Sequence, residues 1–466
     1  MQKIVIVGGG ISGLALAFRL EQALADADVT VLERSDRPGG TVWTELHDGF
    51  LVETGPNGFL DTKPATLSLC RDLGLGPRLI PASDAASRNR YLFLDGRLRL
   101  LPSSLLSFLR SEVLSWRGKL ALVAERIRPV RRDGADESID AFARRRAGEE
   151  VADVLVDAFV TGIYAGDPKR LSVQAAFPRL AALEQQHGSI LKGMARAAKE
   201  RRRDAAARGE VYQPPGRMWS FPEGMRLLIE TLHDRLRHPP LLGVSVRRIE
   251  RGHSGWTVQG EGQDRWQADV VLLTCPASAQ AMILADLDAV LADRVGTIPY
   301  AGVAVVALGY RQSDVMRPLD GFGYLTPERC RRDVLGVQWC SSIFPGRAPP
   351  GMVLLRAMCG GWQRPEVVAW DHTRLLQSIT AELRMTLGVH NAPVFQRIIR
   401  WERAIPQYEI GHLQRVAWIE ERLSHYPGLF LAGNAYHGVA LNDCTEQAET
   451  LASRLVAALS RGALAP

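Results

Sequence analysis

Three glycines near the start of the chain, Gly8, Gly10 and Gly13, have the spacing with which a backbone can hold phosphate. Gly8 permits a tight turn, Gly10 lets the main chain approach a pyrophosphate, and Gly13 lets a helix pack close to a strand. Ser12 lies inside the same motif. Glu33 stands twenty residues past Gly13, where a carboxylate can accept hydrogen bonds from a ribose. Arg34 follows it, and Gly39-Gly40-Thr41 offers a second close backbone approach six residues beyond Glu33.

These residues need elements to position them. Residues 3–7, KIVIV, read as a buried parallel strand, LALAFRLEQAL after Gly13 as a helix, and VTVLE at 29–33 as a second strand. Strand, glycine turn, helix and strand within about thirty residues is the context that gives the glycine spacing meaning. Phosphates would sit at the helix N-terminus, where unpaired amides and the helix dipole favour an anion. The second glycine pair resembles the extended fingerprint of FAD-binding oxidoreductases of the glutathione-reductase-like superfamily. It suits a cofactor that continues past its pyrophosphate into a buried ring, so the reading is FAD and not NAD.

Later strands must close this domain. Residues 241–250 and 256–260 alternate as strands, 268–276 reads as a buried strand, and 428–434 as a strand ending in glycine. Residues 438–444, GVALNDC, open a terminal helix for which Asn442 or Asp443 is the expected cap. Aimed at a flavin ring, that helix end would stabilise negative charge on the reduced ring. Between these pieces, about 100–205 is helix-rich, and about 290–415 holds strands such as 301–310 and 352–361. The expected fold class is α/β with interleaved domains. Residues 1–85, 206–288 and 416–466 form a discontinuous FAD-binding domain, 86–99 and 289–415 an α+β substrate domain, and 100–205 a helical domain.

Composition narrows the class. The chain has 466 residues, 46% of them hydrophobic and 23% charged, which excludes a disordered protein and a small disulfide-stapled module. A net charge of +6 over that length does not call for nucleic acid. The basic runs at 126–132, 144–146 and 199–203 read as solvated helix faces or loops. Six cysteines without a CxxC pair read as reduced thiols in a cytoplasmic protein, and the scattered histidines give no metal site. No apolar stretch reaches a membrane span, and the opening strand leaves no room for a leader.

Several separated segments then resemble one family, the oxygen-using, FAD-dependent protoporphyrinogen oxidases and bacterial coproporphyrinogen III oxidases. They are VIVGGGISGLALAFRL at 5–20, VETGPNGFL at 52–60, TGIYAGDPKRLSVQAAFPRL at 161–180, IPQYEIGHLQR at 405–415 and AGNAYHGVALNDC at 432–444. The resemblance implies a Rossmann-like domain of the glutathione-reductase/amine-oxidase type. It implies FAD contacts at Gly8, Gly10, Ser12, Gly13, Glu33, Arg34, Gly39, Gly40, Thr41 and Gly55. To these it adds the backbone of Val246, Trp401 near the ring, and Gly433, Val439 and Leu441 at the terminal helix. For substrate it implies Arg90 facing a propionate carboxylate, and Gly162 and Gly166 admitting the macrocycle close to the flavin. Asn57 joins this set as a neutral residue where animal members carry an arginine, so no second arginine clamp is read there.

The implied chemistry is removal of six electrons from a porphyrinogen in three two-electron steps, with O2 as acceptor and hydrogen peroxide released. No Asp/His pair or paired carboxylates nominate a general base, so the catalytic set is the flavin alone. The favoured substrate is protoporphyrinogen IX, with coproporphyrinogen III as the alternative. A flavin amine oxidase is a rival, although no lysine occurs after Lys199 to supply the one such enzymes place near the flavin. A carotenoid desaturase would not ask for Arg90, and a non-catalytic FAD scaffold would bind flavin without turnover. Residues 101–116, apolar and beside basic runs, could rest on the inner face of the cytoplasmic membrane, or equally form a dimer contact or core. A homodimer and hand-off to ferrochelatase are family expectations.

Overall fold

The computed structural model describes residues 2–102, 104–207, 216–253 and 255–461. Ser103 in the apolar stretch, 208–215 early in one expected domain segment, and the last five residues of the chain lie outside the described residues.

Four short apolar strands make a parallel sheet in the order Leu429–Leu431, Val270–Leu273, Lys3–Val7 and Asp28–Leu32. Alternate side chains leave on opposite faces. Ile4, Ile6, Val29, Val31 and Leu272 pack under Leu14, Leu20 and Leu455, whereas Val5, Val7, Val271 and Leu273 pack under Leu284, Val295 and Ile419. A strand covered on both sides needs a continuous apolar run, which is why KIVIV and VVLL do not alternate with polar residues. The helices Ile11–Ala23 and Leu441–Ser460 lie against each other over the first of these faces.

The span 241–250 is strand only from Val246. Ahead of it, Gly243 takes a φ of 72°, and the chain runs beside Glu33 through Glu33 N–H to Leu241 O (2.9 Å) and Val244 N–H to Glu33 O (2.9 Å). A left-handed residue interrupts a regular strand, so the pairing starts after it.

A second sheet has seven strands, in the order Phe395–Pro406, Tyr300–Arg311, Met352–Gly360, Val334–Trp339, Gly323–Leu325, Tyr91–Leu94 and Arg97–Leu100. One face is covered by the helix His372–Leu387 through Leu375, Ile379 and Leu383. The other presents Val303, Val305, Met358 and Trp401 in a separate cluster. That second face looks toward the glycine motifs: Trp401 Nε1 donates to Thr54 O at 2.8 Å.

Residues 105–207 form a series of helices joined by loops, with a wide turn at Ala152–Val156 inside a longer helical run. The basic run at 144–146 is not a solvated face. Arg146 is fully buried, paired with Glu125 and donating to Arg128 O (2.9 Å), Pro129 O (3.1 Å) and Gly188 O (3.0 Å). Arg145 pairs with Glu137 and Glu184, and Arg144 with Asp140 and Asp153. Three consecutive helix positions point in three directions, so the arginines reach different acidic groups, with Glu184 shared by Arg145 and Arg146. By contrast Arg202 and Arg203, in the helix Ile190–Ala207, face solvent. All six cysteines are free thiols.

Candidate functional site

The glycine motifs build a cradle at the top of the parallel sheet. Gly8 takes a φ of 115°, and its N–H donates to Leu32 O at 2.8 Å, turning the chain off the first strand. A Cβ at Gly13 would lie 2.0 Å from Gly8 O, so only glycine lets the helix start this close to the strand. Gly39 N–H donates to Gly9 O at 2.7 Å and brings the second glycine pair alongside the first. A Cβ at Gly10 would meet nothing within 4 Å, and one at Gly40 only Gly10 Cα at 3.6 Å. Gly10 and Gly40 therefore open onto the same free space, where a phosphate can meet bare backbone and the start of the helix Ile11–Ala23.

Glu33 follows the second strand. Its carboxylate accepts from Gly9 N–H at 2.7 Å and Ser35 N–H at 2.8 Å, which fixes it beside the turn with lone pairs remaining for a ribose hydroxyl. Arg34 and Thr41 are exposed, and Ser12 lies in the first helical turn near Cys444. Gly55 packs on the second glycine segment so closely that a Cβ there would lie 2.1 Å from Thr41 O. Val246 begins its strand two residues after the segment bonded to Glu33.

Gly433, with a φ of 106°, leaves the last strand of the sheet, and Val439 and Leu441 lead into the terminal helix. That helix begins at Leu441 with Ala440 as its cap residue, so neither Asn442 nor Asp443 is the cap. Asp443, in the first turn, instead accepts from Ala440 N–H at 3.0 Å. Asn442 is 4% exposed, accepts from Thr66 Oγ1 at 2.5 Å and donates to Leu60 O. Lys63 Nζ reaches Asp443 (2.7 Å) and Glu446 (2.6 Å). A side-chain network thus holds the helix end in place, and sequence reading reduced it to a cap.

The neighbouring loop is braced from beneath. Gln280 Nε2 donates to Leu273 O, Cys275 O and Ala432 O, Tyr408 Oη to Asn434 O at 2.5 Å, and Tyr408 stacks on buried His412. Desolvation pulls His412 down to about 4, so it is neutral.

The substrate set is dispersed over several elements: Gly162 lies in the helix Asp157–Tyr164, Gly166 in the turn after it, and Asn57 ahead of the short strand Phe59–Leu60. Arg90 precedes the strand Tyr91–Leu94 and lies over the Phe322 ring at 5.2 Å. Among the described residues no carboxylate pairs with it. Its side chain is exposed to solvent, and the protein around it lowers its pKa by desolvation. Asn57 is 4% exposed with its Nδ2 unpartnered. Gly162 is exposed, and a Cβ there would press on Leu325 at 2.8 Å. Gly166 is buried, where a Cβ would strike Gln407 Oε1 at 2.3 Å, so any larger residue there must displace the Gln407 side chain.

Sequence reasoning missed Arg356 and Gln338. Arg356 is 4% exposed, donates through Nη2 to Gly55 O, and through Nη1 to Gln338 Oε1 at 3.2 Å. A lone arginine inside the apolar run MVLLRAMCGG was the available signal.

Comparison with known proteins supplies the family. Residues 11–456 match the family described as flavin containing amine oxidoreductase. The chain is 34% identical to protoporphyrinogen oxidase 1 of Arabidopsis thaliana, covering 95% of this chain and 86% of that one. It is 29% identical to coproporphyrinogen III oxidase of Bacillus subtilis over 97% of each chain. A crystal structure of a candidate protoporphyrinogen oxidase from an Exiguobacterium species superposes with a TM-score of 0.83 at 28% identity, covering 98% of this chain and 99% of that one. The chain belongs to the protoporphyrinogen/coproporphyrinogen oxidase family of flavin-containing amine oxidoreductases, and it is an enzyme of oxidase type.

Proposed function

We propose that this enzyme binds FAD and oxidises protoporphyrinogen IX to protoporphyrin IX with O2, releasing hydrogen peroxide. The observation that carries the porphyrinogen reading is Arg90, an exposed guanidinium over the Phe322 ring without a protein carboxylate among the described residues. A planar fork of donors suits a propionate carboxylate, which would otherwise be costly to remove from water.

The cradle fits FAD on its own geometry. Gly10 and Gly40 open together where a pyrophosphate needs bare backbone, and Glu33 lies within the same turn for a ribose. Gly8, Ser12, Gly13, Arg34, Gly39 and Thr41 complete that end. Gly55, Val246, Trp401, Gly433, Val439 and Leu441 would border the rest of the cofactor. When bound, the flavin supplies a two-electron acceptor that O2 can reoxidise. The protein's own part is to hold the macrocycle by Arg90, with Asn57 and Gly162 on the walls, and to position the terminal helix through Lys63, Thr66 and Asn442.

Coproporphyrinogen III is the second reading, favoured by the Bacillus subtilis relative, which aligns over 97% of both chains. The deciding experiment compares kcat/KM for the two porphyrinogens with FAD-loaded protein in air. A larger value for protoporphyrinogen IX supports the proposal, and a larger value for coproporphyrinogen III overturns it in favour of the second reading.

Leu106, Leu109, Trp116, Leu120, Val123 and Ile127 expose large apolar surfaces, Ile127 to 85%. They support a peripheral contact with a bilayer surface, and full recovery in the soluble fraction after liposome flotation at low salt would refute it. No helix among the described residues is long and apolar enough to cross a membrane.

A further inference from the structure

Beside the turn at Gly55 the protein buries more positive charge than negative. Arg356 lies there with its Nε buried and lacking an acceptor. Two nearby groups bear on its charge, and neither is hydrogen-bonded to it. Glu53 is 3.6 Å from Arg347, and its oxygens already accept from Met225 N–H at 2.9 Å and Thr44 Oγ1 at 2.7 Å. Burial pushes Glu53 above the usual carboxylate range, while Arg347 and Arg356 oppose that shift. Cys340, whose thiol burial pushes up to about 11, is neutral. Among the buried side chains here, two guanidinium groups, Arg356 and Arg347, face one carboxylate, Glu53, which leaves the positive charge only partly balanced.

A buried cation that is only partly compensated is costly, and a further negative charge in the functional state would offset that cost. The carbonyl that Arg356 holds belongs to Gly55, which packs on Thr41 and so borders the glycine cradle. We propose that Arg356 is a positioning residue whose fixed charge, set behind the Gly55 turn, favours the reduced over the oxidised cofactor. Two-electron, one-proton reduction adds one negative charge to the flavin ring. A cation held nearby without solvent screening lowers the free energy of that charged form. The inference rests on the cofactor reading above.

The test compares the parent with Arg356→Gln and Arg356→Lys, each loaded with FAD. It measures the two-electron midpoint potential of the bound flavin against redox dyes, together with flavin content. Gln removes the charge and keeps polar atoms, whereas Lys keeps the charge and loses the planar fork. The expected result for Arg356→Gln is a potential more negative by about 30 to 60 mV, a tenfold to hundredfold loss in preference for the reduced form. Arg356→Lys should stay within about 15 mV of the parent, a roughly threefold ratio.

A parent-like potential in Arg356→Gln overturns the inference, because a merely structural arginine could be lost without moving it. A fall in Arg356→Lys as large as in Arg356→Gln also overturns it. If Arg356→Gln does not fold, Arg356→Lys decides: a parent-like potential supports the inference, and a fall of about 30 mV or more overturns it. A parent protein that takes up no FAD overturns the cofactor reading itself, whereas loaded variants with unmoved potentials overturn only this inference.

Discussion

Replacing Asp157 by Asn should stabilise the protein at alkaline pH and do little at acid pH. Asp157 begins the helix Asp157–Tyr164 and is 8% exposed. Burial pushes its carboxyl up to about 6 from 3.8, with Glu328, Asp167 and Asp153 adding repulsion, while the Glu328 N–H at 2.7 Å opposes the shift. The folded state therefore holds this proton more tightly than the unfolded chain does. Its contribution is fully present below about pH 4 and is lost as pH rises through about 6. A shift of about 2 units corresponds to roughly 3 kcal/mol by pH 8. Asn keeps an oxygen for the Glu328 amide and carries no charge, so it should recover about 2–3 kcal/mol at pH 8. Urea titrations at pH 8 and pH 4 read this as a midpoint rise of roughly 0.5 M at the higher pH, because m grows with chain length, and near parity at the lower. An equal gain at both pH values, or a loss at pH 8, would refute the reasoning, since only a buried ionised carboxyl predicts a gain that grows with pH.

Buried neutral His412 makes the opposite contribution: it takes up a proton on unfolding, so stability should fall by roughly 3 kcal/mol as pH drops from 6.5 to about 4. Acid-limb melting of His412→Gln should be correspondingly flatter, and a parent-like slope would count against this. Arg90→Leu should raise KM for the porphyrinogen about 10- to 100-fold, the loss of a charge-assisted pair worth roughly 1.5–3 kcal/mol, with kcat nearly unchanged; steady-state kinetics in air check it, and an unchanged KM removes Arg90 from the site. Gly13→Ala forces a Cβ to within 2.0 Å of Gly8 O, so flavin affinity should fall roughly tenfold or more, measured by titrating apoprotein with FAD.

Much of the parallel sheet could be read from sequence because its strands are apolar on both faces and its turn needs glycine at fixed offsets. The glycine cradle was legible for the same reason: Gly8 and Gly13 are dictated by backbone clearance that no other residue satisfies. The features that escaped are those made by distant segments meeting. Arg146 lies in a basic run, yet its burial depends on Glu125 and on carbonyls at 128, 129 and 188. The terminal helix was correctly placed, but its end is fixed by Lys63 and Thr66, nearly 380 residues earlier in the chain. Gly166 read as room for substrate, and the fold also uses it as room for Gln407.

The central claim is that flavin held in this cradle takes electrons from a porphyrinogen and gives them to O2. Anaerobic mixing of the FAD-loaded protein with protoporphyrinogen IX tests it most directly, followed by admission of air. Bleaching of the flavin absorbance on mixing, with porphyrin fluorescence appearing and the oxidised flavin spectrum returning in air, is the predicted result. A flavin that stays oxidised with either porphyrinogen, while porphyrin forms no faster than without protein, would contradict the account.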